Sequence, residues 1–207
     1  MDATSNATRT PANKGRRYPA EILTPDEVRA LVKACSNRAP TGVRNRALLV
    51  VLYRAGLRVS EALALAPKDV DRAAGTVTVL RGKGDKRRTV GLDLGAFAVL
   101  ERWLDRRAKL GVNGRAPIFC TLRGTPLATA YVRALMPRLA RREGIEKRVH
   151  AHGLRHTHAA ELAYEGAPMN LIQAQLGHSS LATTSRYLAH IAPAQLVEVM
   201  RARTWSL

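Results

Sequence analysis

The stretch from His152 to Tyr187 reads HGLRHTHAAELAYEGAPMNLIQAQLGHSSLATTSRY and carries the most informative pattern in the chain. Two amphipathic helical patterns run through it, separated by the sequence GAP. His152 and Arg155 are three residues apart, so their side chains project from the same face of the first helix. His178 follows the second helix, and Tyr187 comes nine residues later. Side chains that can bind a phosphate, followed by an oxygen nucleophile, predict chemistry on a phosphodiester.

The charge balance points to a polyanionic partner. The 207 residues include 34 Lys and Arg but only 16 Asp and Glu, which gives a formal net charge of +18. A general compositional bias towards arginine would normally be matched by additional acidic residues, and this chain does not have them. Because the positive charge is spread along the whole chain, it favours the binding of nucleic acid.

Length and composition fit one large or two small domains with a buried core. The apolar fraction is 46% and the aromatic fraction only 4%, which favours a core built mainly from helices rich in Ala, Leu and Val. The N-terminus lacks the apolar segment of a signal peptide, and no apolar run approaches the length of a membrane span. We therefore expect a cytoplasmic protein without a membrane partner.

Neither the cysteines nor the histidines form a metal-binding motif. Cys35 and Cys120 lie in apolar settings without ligand spacing, which predicts buried free thiols. The histidines around Arg155 raise the alternative of a zinc hydrolase, but HExxH and paired-cysteine spacings are missing and the arginine would repel a cation. We expect neither a metal nor another cofactor. The histidines concerned are His150, His152, His156, His158 and His178.

Residues 1–20 are polar, contain proline and show no periodicity, which predicts a disordered basic arm. Its Arg16 and Arg17 could contact DNA phosphates, and an ordinary flexible terminus explains them equally well.

The next residues encode a helix start. Thr24 is a good N-cap, and Glu27 completes a capping box with it.

Two further helices are expected before residue 66. The sequence APTG at 39–42 is expected to break the first helical pattern, and a deeply buried helix is expected over 43–55. Arg58 follows within GLRVSEALAL, between apolar helical segments, so its side chain should be partly buried and needs an anionic partner. Glu61 can simply neutralise Arg58, or it can orient the guanidinium towards a phosphate. The sequence is compatible with both interpretations.

Residues 75–92 change to an alternating pattern around KGDK, which predicts a β-hairpin. The cations near its tip form either a solvated surface or a set of DNA contacts. Lys83 differs from the others because glycines flank it, which lets the backbone approach a ligand closely. The remaining tip cations, which we expect to contact DNA, are Arg81, Lys86, Arg87 and Arg88.

The second half of the chain adds predicted helices over 94–110 and 129–143, and Pro137 is expected to kink or split the latter. A final amphipathic helix over about 193–203 either closes the domain's own core or docks on a neighbouring subunit. Together these patterns predict a mainly α fold with a small antiparallel β-hairpin, of the α+β class.

Four separated motifs occur in a fixed order: GLRVSEAL, RGKGDKRRTV, HGLRHTHA and QLGHSSLATTSRY. In this order they closely resemble the catalytic domain of the tyrosine recombinases, the phage integrase and Xer group. The resemblance covers about residues 20–203 and implies a catalytic domain over 21–207. Because so few residues precede the first predicted helix, the chain resembles a small form without the family's N-terminal core-binding domain.

The resemblance implies six catalytic residues and one supporting acid. One local departure is His158, where the family usually has an aromatic side chain such as Phe, and we expect this histidine to pack inside its helix. The implied catalytic residues are Arg58, Lys83, His152, Arg155, His178 and Tyr187, with Glu61 in support.

The implied reaction transfers a DNA phosphodiester to Tyr187 as a 3′-phosphotyrosine and then to another strand, without metal or ATP. In this scheme His152 takes the tyrosine proton, and Lys83 gives a proton to the leaving 5′ oxygen. His178 donates a hydrogen bond to the phosphate, and the two arginines stabilise the charge on its nonbridging oxygens.

By this resemblance the partner is double-stranded DNA, bound by a monomer or weak oligomer that assembles into a homotetramer on two duplexes. An accessory DNA-bending protein is a further candidate partner, and integration, inversion and resolution are all open as the biological event. Two alternatives remain: a DNA-binding regulator or integrase fragment without recombination activity, and a type IB topoisomerase. The intact set of catalytic-type residues favours the recombinase over a pure binder.

Overall fold

The computed structural model describes residues 21–80, 87–180, 182, 184–185, 197 and 200–203. These residues form a mainly helical fold with one small antiparallel sheet, as predicted. A single turn of 3₁₀ helix, Pro67–Asp69, precedes the first strand. The other elements, in chain order, are α1 (Pro25–Ala34), α2 (Pro40–Arg54), α3 (Val59–Ala64), β1 (Val70–Asp71), β2 (Thr76–Val79), β3 (Arg88–Gly91), α4 (Leu94–Lys109), α5 (Thr129–Arg142), α6 (Ala151–Tyr164) and α7 (Met169–Leu176).

The predicted capping box at the start of α1 is confirmed. The hydroxyl of Thr24 accepts a hydrogen bond from the amide of Glu27 at 3.2 Å, and the Glu27 carboxylate accepts one from the amide of Thr24 at 2.6 Å. Pro25 occupies the first helical position, where its missing N–H is not needed. The two bonds satisfy amides that the first turn of a helix leaves without partners.

A break does separate the first two helices, but α2 begins at Pro40, three residues earlier than predicted. Proline at the first helical position needs no amide donor and its fixed φ suits the helix, so the residue starts a helix instead of ending one. The helix packs against α1, α4 and α6. Leu48, Val51 and Leu52 are completely inaccessible to solvent, which places α2 at the centre of the core.

The sheet has the strand order β1-β2-β3, and both pairs of strands are antiparallel. Strands β2 and β3 form the predicted hairpin, and within it Val77 pairs with Val90 on the buried face. Strand β1 was not predicted, because two residues are too few to show an alternating pattern. Strand β3 also contacts α7, which brings the hairpin against the C-terminal half of the chain.

The sequence predicted that Pro137 kinks or splits α5; the helix is continuous through Pro137, so the split was wrong, and the kink stays a prediction. Pro137 lies on the exposed side of the helix. Water can therefore reach the backbone carbonyl that the missing N–H leaves without a donor. The buried face is the predicted one, formed by Val132, Leu135, Met136 and Leu139.

Helices α6 and α7 share a smaller hydrophobic cluster beside the main core. Helix α7 ends at Gly177, whose φ of +63° lies in the left-handed region that glycine adopts at little cost. The chain turns there and leads directly into His178. The buried residues of the cluster are Ala159, Ala160, Ala163, Ile172 and Leu176.

Several sequence predictions fall on other parts of the chain. The N-terminal arm at 1–20, the hairpin tip at 81–86 and most of the final helix at 193–203 lie outside the described residues. Cys35 and Cys120 are described, and both are buried free thiols, as predicted. Within the described ranges, no helix is both long enough and apolar enough to cross a membrane.

Candidate active site

Arg155, in α6, forms the buried centre of the site and is completely inaccessible to solvent. Its Nη1 donates to the carbonyl of Gly56 and its Nη2 to the carbonyl of Leu176, both at 2.5 Å. Gly56 precedes Arg58 by two residues, and Leu176 precedes His178 by two residues. One guanidinium therefore fixes two segments that lie far apart in the sequence and that both carry predicted site residues.

Glu61 holds Arg58 at the start of α3. The amide of Arg58 donates to Oε2 of Glu61 at 2.8 Å, as in a capping box, and Nη1 of Arg58 donates to Oε1 at 2.8 Å. The Glu61 side chain is 2% exposed, whereas that of Arg58 is 29% exposed. The ion pair that the sequence predicted is therefore present, and it leaves part of the Arg58 side chain open to solvent.

Arg88, at the start of β3, is the second cation on Glu61. Its Nη1 and Nη2 donate to the two carboxylate oxygens at 2.9 and 2.8 Å, and its side chain is 13% exposed. Burial alone raises the pKa of the Glu61 carboxyl, but the hydrogen bonds from Arg88 and Arg58 lower it to about 2. The carboxylate is therefore ionised throughout the physiological range. The sequence predicted a DNA contact for Arg88, whereas in the structure both of its terminal nitrogens bond to Glu61.

His178 is buried directly after α7. Its Nδ1 lies 3.0 Å from the hydroxyl of Thr184, and its carbonyl accepts a hydrogen bond from the side chain of Gln173 at 3.0 Å. Burial lowers the pKa of His178 to about 4, and nearby positive charges act in the same direction, so the ring is neutral at pH 7. Those charges belong to Arg155, Arg58 and Arg88.

His152 lies on the first turn of α6, where the residue remains accessible to solvent. Its ring contacts the ring of His156 edge-on, with the centroids 4.6 Å apart. Partial burial of the imidazole lowers its pKa, and the positive charges of nearby groups add to the effect, so the neutral ring is favoured. These groups are Arg155, His150 and Arg58.

His158 packs inside α6 beside Gly56. The φ of Gly56 is +60°, and a β-carbon there would lie only 2.6 Å from the His158 ring, so this position requires glycine. Among the described residues, neither ring nitrogen of His158 has a hydrogen-bond partner. Burial, followed by the positive charges of Arg54 and Arg155, lowers the pKa of His158 to about 4.

Gln175, in α7, is a site residue that sequence reasoning missed. Its Oε1 accepts from the amide of Gly91 and its Nε2 donates to the carbonyl of Gly91, both at 3.0 Å. The same Nε2 lies 3.4 Å from the carbonyl of Ala55. Gln175 therefore joins β3 to α7 and to the end of α2. Its partners lie far away in the sequence, so no local pattern indicated this role.

The structure brings the described members of the predicted set together around Arg155. Thr184 also belongs to this cluster, through its contact with His178. It lies in the motif TTSRY, but the motif alone did not indicate a role for it. Arg87 is described and exposed, directly before β3. The predicted residues outside the described part of the chain are Arg16, Arg17, Arg81, Lys83, Lys86 and Tyr187.

The electrostatics of the cluster favour an anionic ligand. Two guanidinium groups, those of Arg58 and Arg88, pair with the carboxylate of Glu61, and that of Arg155 lies near His178, so the described part of the site carries a net positive charge. Guanidinium groups are suited to phosphate because they offer paired N–H donors in a plane. Among the described residues, no three His, Cys, Asp or Glu side chains are grouped so that they could bind a metal ion.

Comparison with protein families identifies one match over most of the chain. The model of the phage integrase family matches residues 21–193. Tyrosine recombinase XerC of Xanthomonas campestris pv. campestris (strain B100) is 38% identical over 185 residues, which are 89% of this chain and 56% of that protein. XerC of Thermodesulfovibrio yellowstonii is 36% identical over 191 residues, covering 90% of this chain and 63% of that protein. The chain thus spans less than two thirds of these relatives.

Solved structures share the fold. The XerA recombinase superposes with a TM-score of 0.79 at 32% identity, covering 95% of this chain and 70% of that one. The XerH site-specific recombinase, bound to its palindromic difH substrate in a post-cleavage complex, gives a TM-score of 0.72 at 30% identity. That match covers 88% of this chain and 53% of the XerH chain. Both similarities extend over most of the chain and so include the elements around the candidate site.

Proposed function

Because the chain belongs to the phage integrase family, we propose that it is the catalytic domain of a site-specific DNA recombinase, a tyrosine-type strand transferase. In this proposal residues 21–207 form the domain and residues 1–20 form a basic arm. The observation that carries the proposal is the convergence on Arg155. Its buried guanidinium bonds to carbonyls that lie two residues before Arg58 and two residues before His178.

The proposed ligand of the cluster is the scissile phosphate. A phosphodiester places negative charge on its nonbridging oxygens as the entering and leaving oxygens line up. The Arg58 guanidinium is partly exposed and already oriented by Glu61, and donors fixed in advance stabilise such charge without reorganisation. In the proposed tautomer of His178, Nδ1 accepts the hydrogen bond of Thr184, and Nε2 donates its proton to the phosphate.

The proposed nucleophile is Tyr187, which lies outside the described residues. A tyrosine hydroxyl has an ordinary pKa of about 10, so it must lose its proton during attack. His152 is the proposed base, since its lowered pKa favours the neutral imidazole that can accept a proton. The tyrosine oxygen bonds to phosphorus, the bond to the 5′ oxygen breaks, and Lys83 gives that oxygen a proton. The 3′-phosphotyrosine keeps a phosphodiester bond, so rejoining needs neither ATP nor a metal.

Double-stranded DNA is the proposed substrate, and the net charge of +18 supports a polyanionic partner. Exchanging both strands between two duplexes requires four cleaved strands, so we propose a homotetramer with one Tyr187 for each strand. It would assemble from monomers or weak oligomers on the bacterial nucleoid, where an accessory protein that bends DNA is a candidate partner. The proposed DNA contacts are Arg16, Arg17, Arg81, Lys86 and Arg87.

Covalent trapping tests the proposal. Purified protein is mixed with labelled duplexes that span the region around its own gene and carry nicks, so that the cleaved end diffuses away and rejoining fails. We expect the wild type to form a protein–DNA complex that survives SDS. Tyr187→Phe should form none, although it binds the same DNA with the same dependence on salt, because the ring is kept and only the hydroxyl is lost.

Two other outcomes would overturn the proposal. An SDS-stable complex formed by Tyr187→Phe would show that another residue is the nucleophile. Salt-dependent binding without any covalent complex, for both proteins, would favour a DNA-binding regulator or an integrase fragment without recombination activity.

A further inference from the structure

We propose that Arg88 is a positioning residue, which locks the hairpin strand β3 onto Glu61 and Gly177 and thereby holds Arg58 and His178 in register. The proposal concerns contacts among described residues. Its effect on catalysis rests on the proposed function, whereas the contacts themselves can be tested without any activity.

The first contact is the paired hydrogen bond to Glu61. Arg88 bonds to both carboxylate oxygens, and the same two oxygens accept the amide and the Nη1 of Arg58. Glu61 thus receives four hydrogen bonds from two arginines. Because its carboxylate is almost completely buried, a displacement of Arg88 also displaces the group that orients Arg58.

The second contact is with the backbone of Gly177. A β-carbon on Gly177 would lie 2.6 Å from Nε of Arg88 and 2.8 Å from its Cζ, so the guanidinium packs directly on this glycine. Nε is buried and, among the described residues, makes no hydrogen bond. Gly177 is adjacent to His178, so the arginine that holds Glu61 also presses on the turn that carries the histidine.

A third contact, through Gln175, ties the same strand to the same helix end. The side-chain amide of Gln175 makes two hydrogen bonds to the backbone of Gly91, both at 3.0 Å, as a neighbouring strand would do in pairing with β3. Arg88 and Gly91 are the first and last residues of β3. The strand is therefore fixed at both ends against α7 and the turn that follows it.

These contacts distinguish Arg88 from an arginine that binds DNA. Its side chain is 13% exposed and both terminal nitrogens are used by Glu61, whereas the neighbouring Arg87 is exposed. A DNA contact contributes to affinity and to its salt dependence. A positioning residue instead contributes to the rate of strand cleavage once the DNA is bound.

The test compares Arg88→Gln and Arg88→Lys with the wild type in single-turnover cleavage of nicked DNA at saturating protein. Arg72→Gln is the matched control, because Arg72 also pairs with a carboxylate, that of Glu101, but its side chain is 80% exposed. DNA affinity is measured for each protein at several salt concentrations, and thermal unfolding reports on folding.

We expect Arg88→Gln to cleave about 100-fold more slowly at saturation, as a displacement of about 1 Å in a catalytic group can cause. Its DNA affinity and salt dependence should match those of the wild type. Arg88→Lys keeps the charge but cannot form the two parallel hydrogen bonds that separate guanidinium nitrogens make to the carboxylate, so it should be equally slow. Arg72→Gln should cleave at the wild-type rate.

Wild-type cleavage by Arg88→Lys would overturn the proposal. So would an Arg88→Gln protein that cleaves normally at saturation but has a slope of log affinity against log salt reduced by about one, since that result identifies a phosphate contact.

Hydrogen exchange tests the contacts independently of activity. In the free protein, the amides of Gly177 and His178 should exchange faster in Arg88→Gln than in the wild type or Arg72→Gln. Unchanged exchange would contradict the proposal even if the wild type cleaves DNA. A wild type that never cleaves DNA would overturn the proposed function, but the exchange measurement would still decide whether Arg88 holds these contacts. If Arg88→Gln does not fold, Arg88→Lys replaces it in this measurement, and unchanged exchange in that variant would contradict the proposal.

Discussion

Arg155 donates a hydrogen bond of 2.5 Å to the backbone carbonyl of Gly56, across the interface between α6 and the end of α2. The second bond of the same guanidinium, to Leu176, ties α6 to the end of α7. A buried carbonyl without a donor costs about 1 to 3 kcal/mol, so these two bonds contribute to the folded state as well as to the site. The arginine expected to bind phosphate is thus also a structural residue.

We predict that Arg155→Lys destabilises the protein by about 3 kcal/mol, because one ammonium cannot reach both carbonyls and stays buried. Urea unfolding followed by circular dichroism measures the change. Arg29→Lys is the control, because Arg29 forms an exposed ion pair with Asp26 and such pairs contribute little. Equal stability of the two variants would contradict the structural role of Arg155.

The buried histidines predict a loss of stability in acid. The folded-state pKa values of His158 and His178 are lowered to about 4, against 6.5 for an ordinary histidine. Between these values the unfolded chain binds more protons than the folded one, so the free energy of unfolding falls as the pH is lowered from 6.5 towards 4. Above pH 6.5 this contribution is fully present.

Replacing His158 by phenylalanine should remove one of the two contributions. Each histidine changes the free energy of unfolding by up to about 1.4 kcal/mol per pH unit, so the pH dependence of the wild type should be steeper than that of His158→Phe by about this slope. Urea unfolding at several pH values measures it. Parallel curves for the two proteins would show that His158 is protonated equally in the folded and unfolded states.

The capping box of α1 gives a smaller prediction. Thr24→Ala removes the hydroxyl that accepts from the amide of Glu27, which should destabilise the protein by about 1 kcal/mol. Thr41→Ala is a matched control, because Thr41 is an exposed residue of α2, and it should change the stability by less than about 0.5 kcal/mol. Thermal unfolding of both variants decides whether the cap acts as described.

Features that depend on neighbouring residues could be predicted from the sequence. The capping box joins residues three positions apart, the ion pair of Arg58 with Glu61 has the same spacing, and the hairpin follows from alternation on both sides of its turn. The start of α2 was predicted three residues too late for a local reason too, since Pro40 opens a helix as readily as it ends one.

Features that depend on distant residues could not be predicted. Arg88 lies 27 residues from Glu61, and Gln175 lies 84 residues from Gly91. Periodicity records which face of an element is buried, but it does not record which polar side chains meet once the elements pack. For this reason the sequence indicated the members of the candidate site through four motifs, while the contacts that hold them together became visible only in the fold.

Mass spectrometry of the trapped complex tests the proposed bond between DNA and Tyr187 most directly. After nuclease treatment, trypsin cleaves at Arg186 and Arg201 and so releases the peptide that begins with Tyr187. We predict that this peptide from the wild-type complex carries a nucleotide joined through its 3′ phosphate to the tyrosine oxygen. A nucleotide on any other residue, or one attached through a 5′ phosphate, would contradict the proposed mechanism.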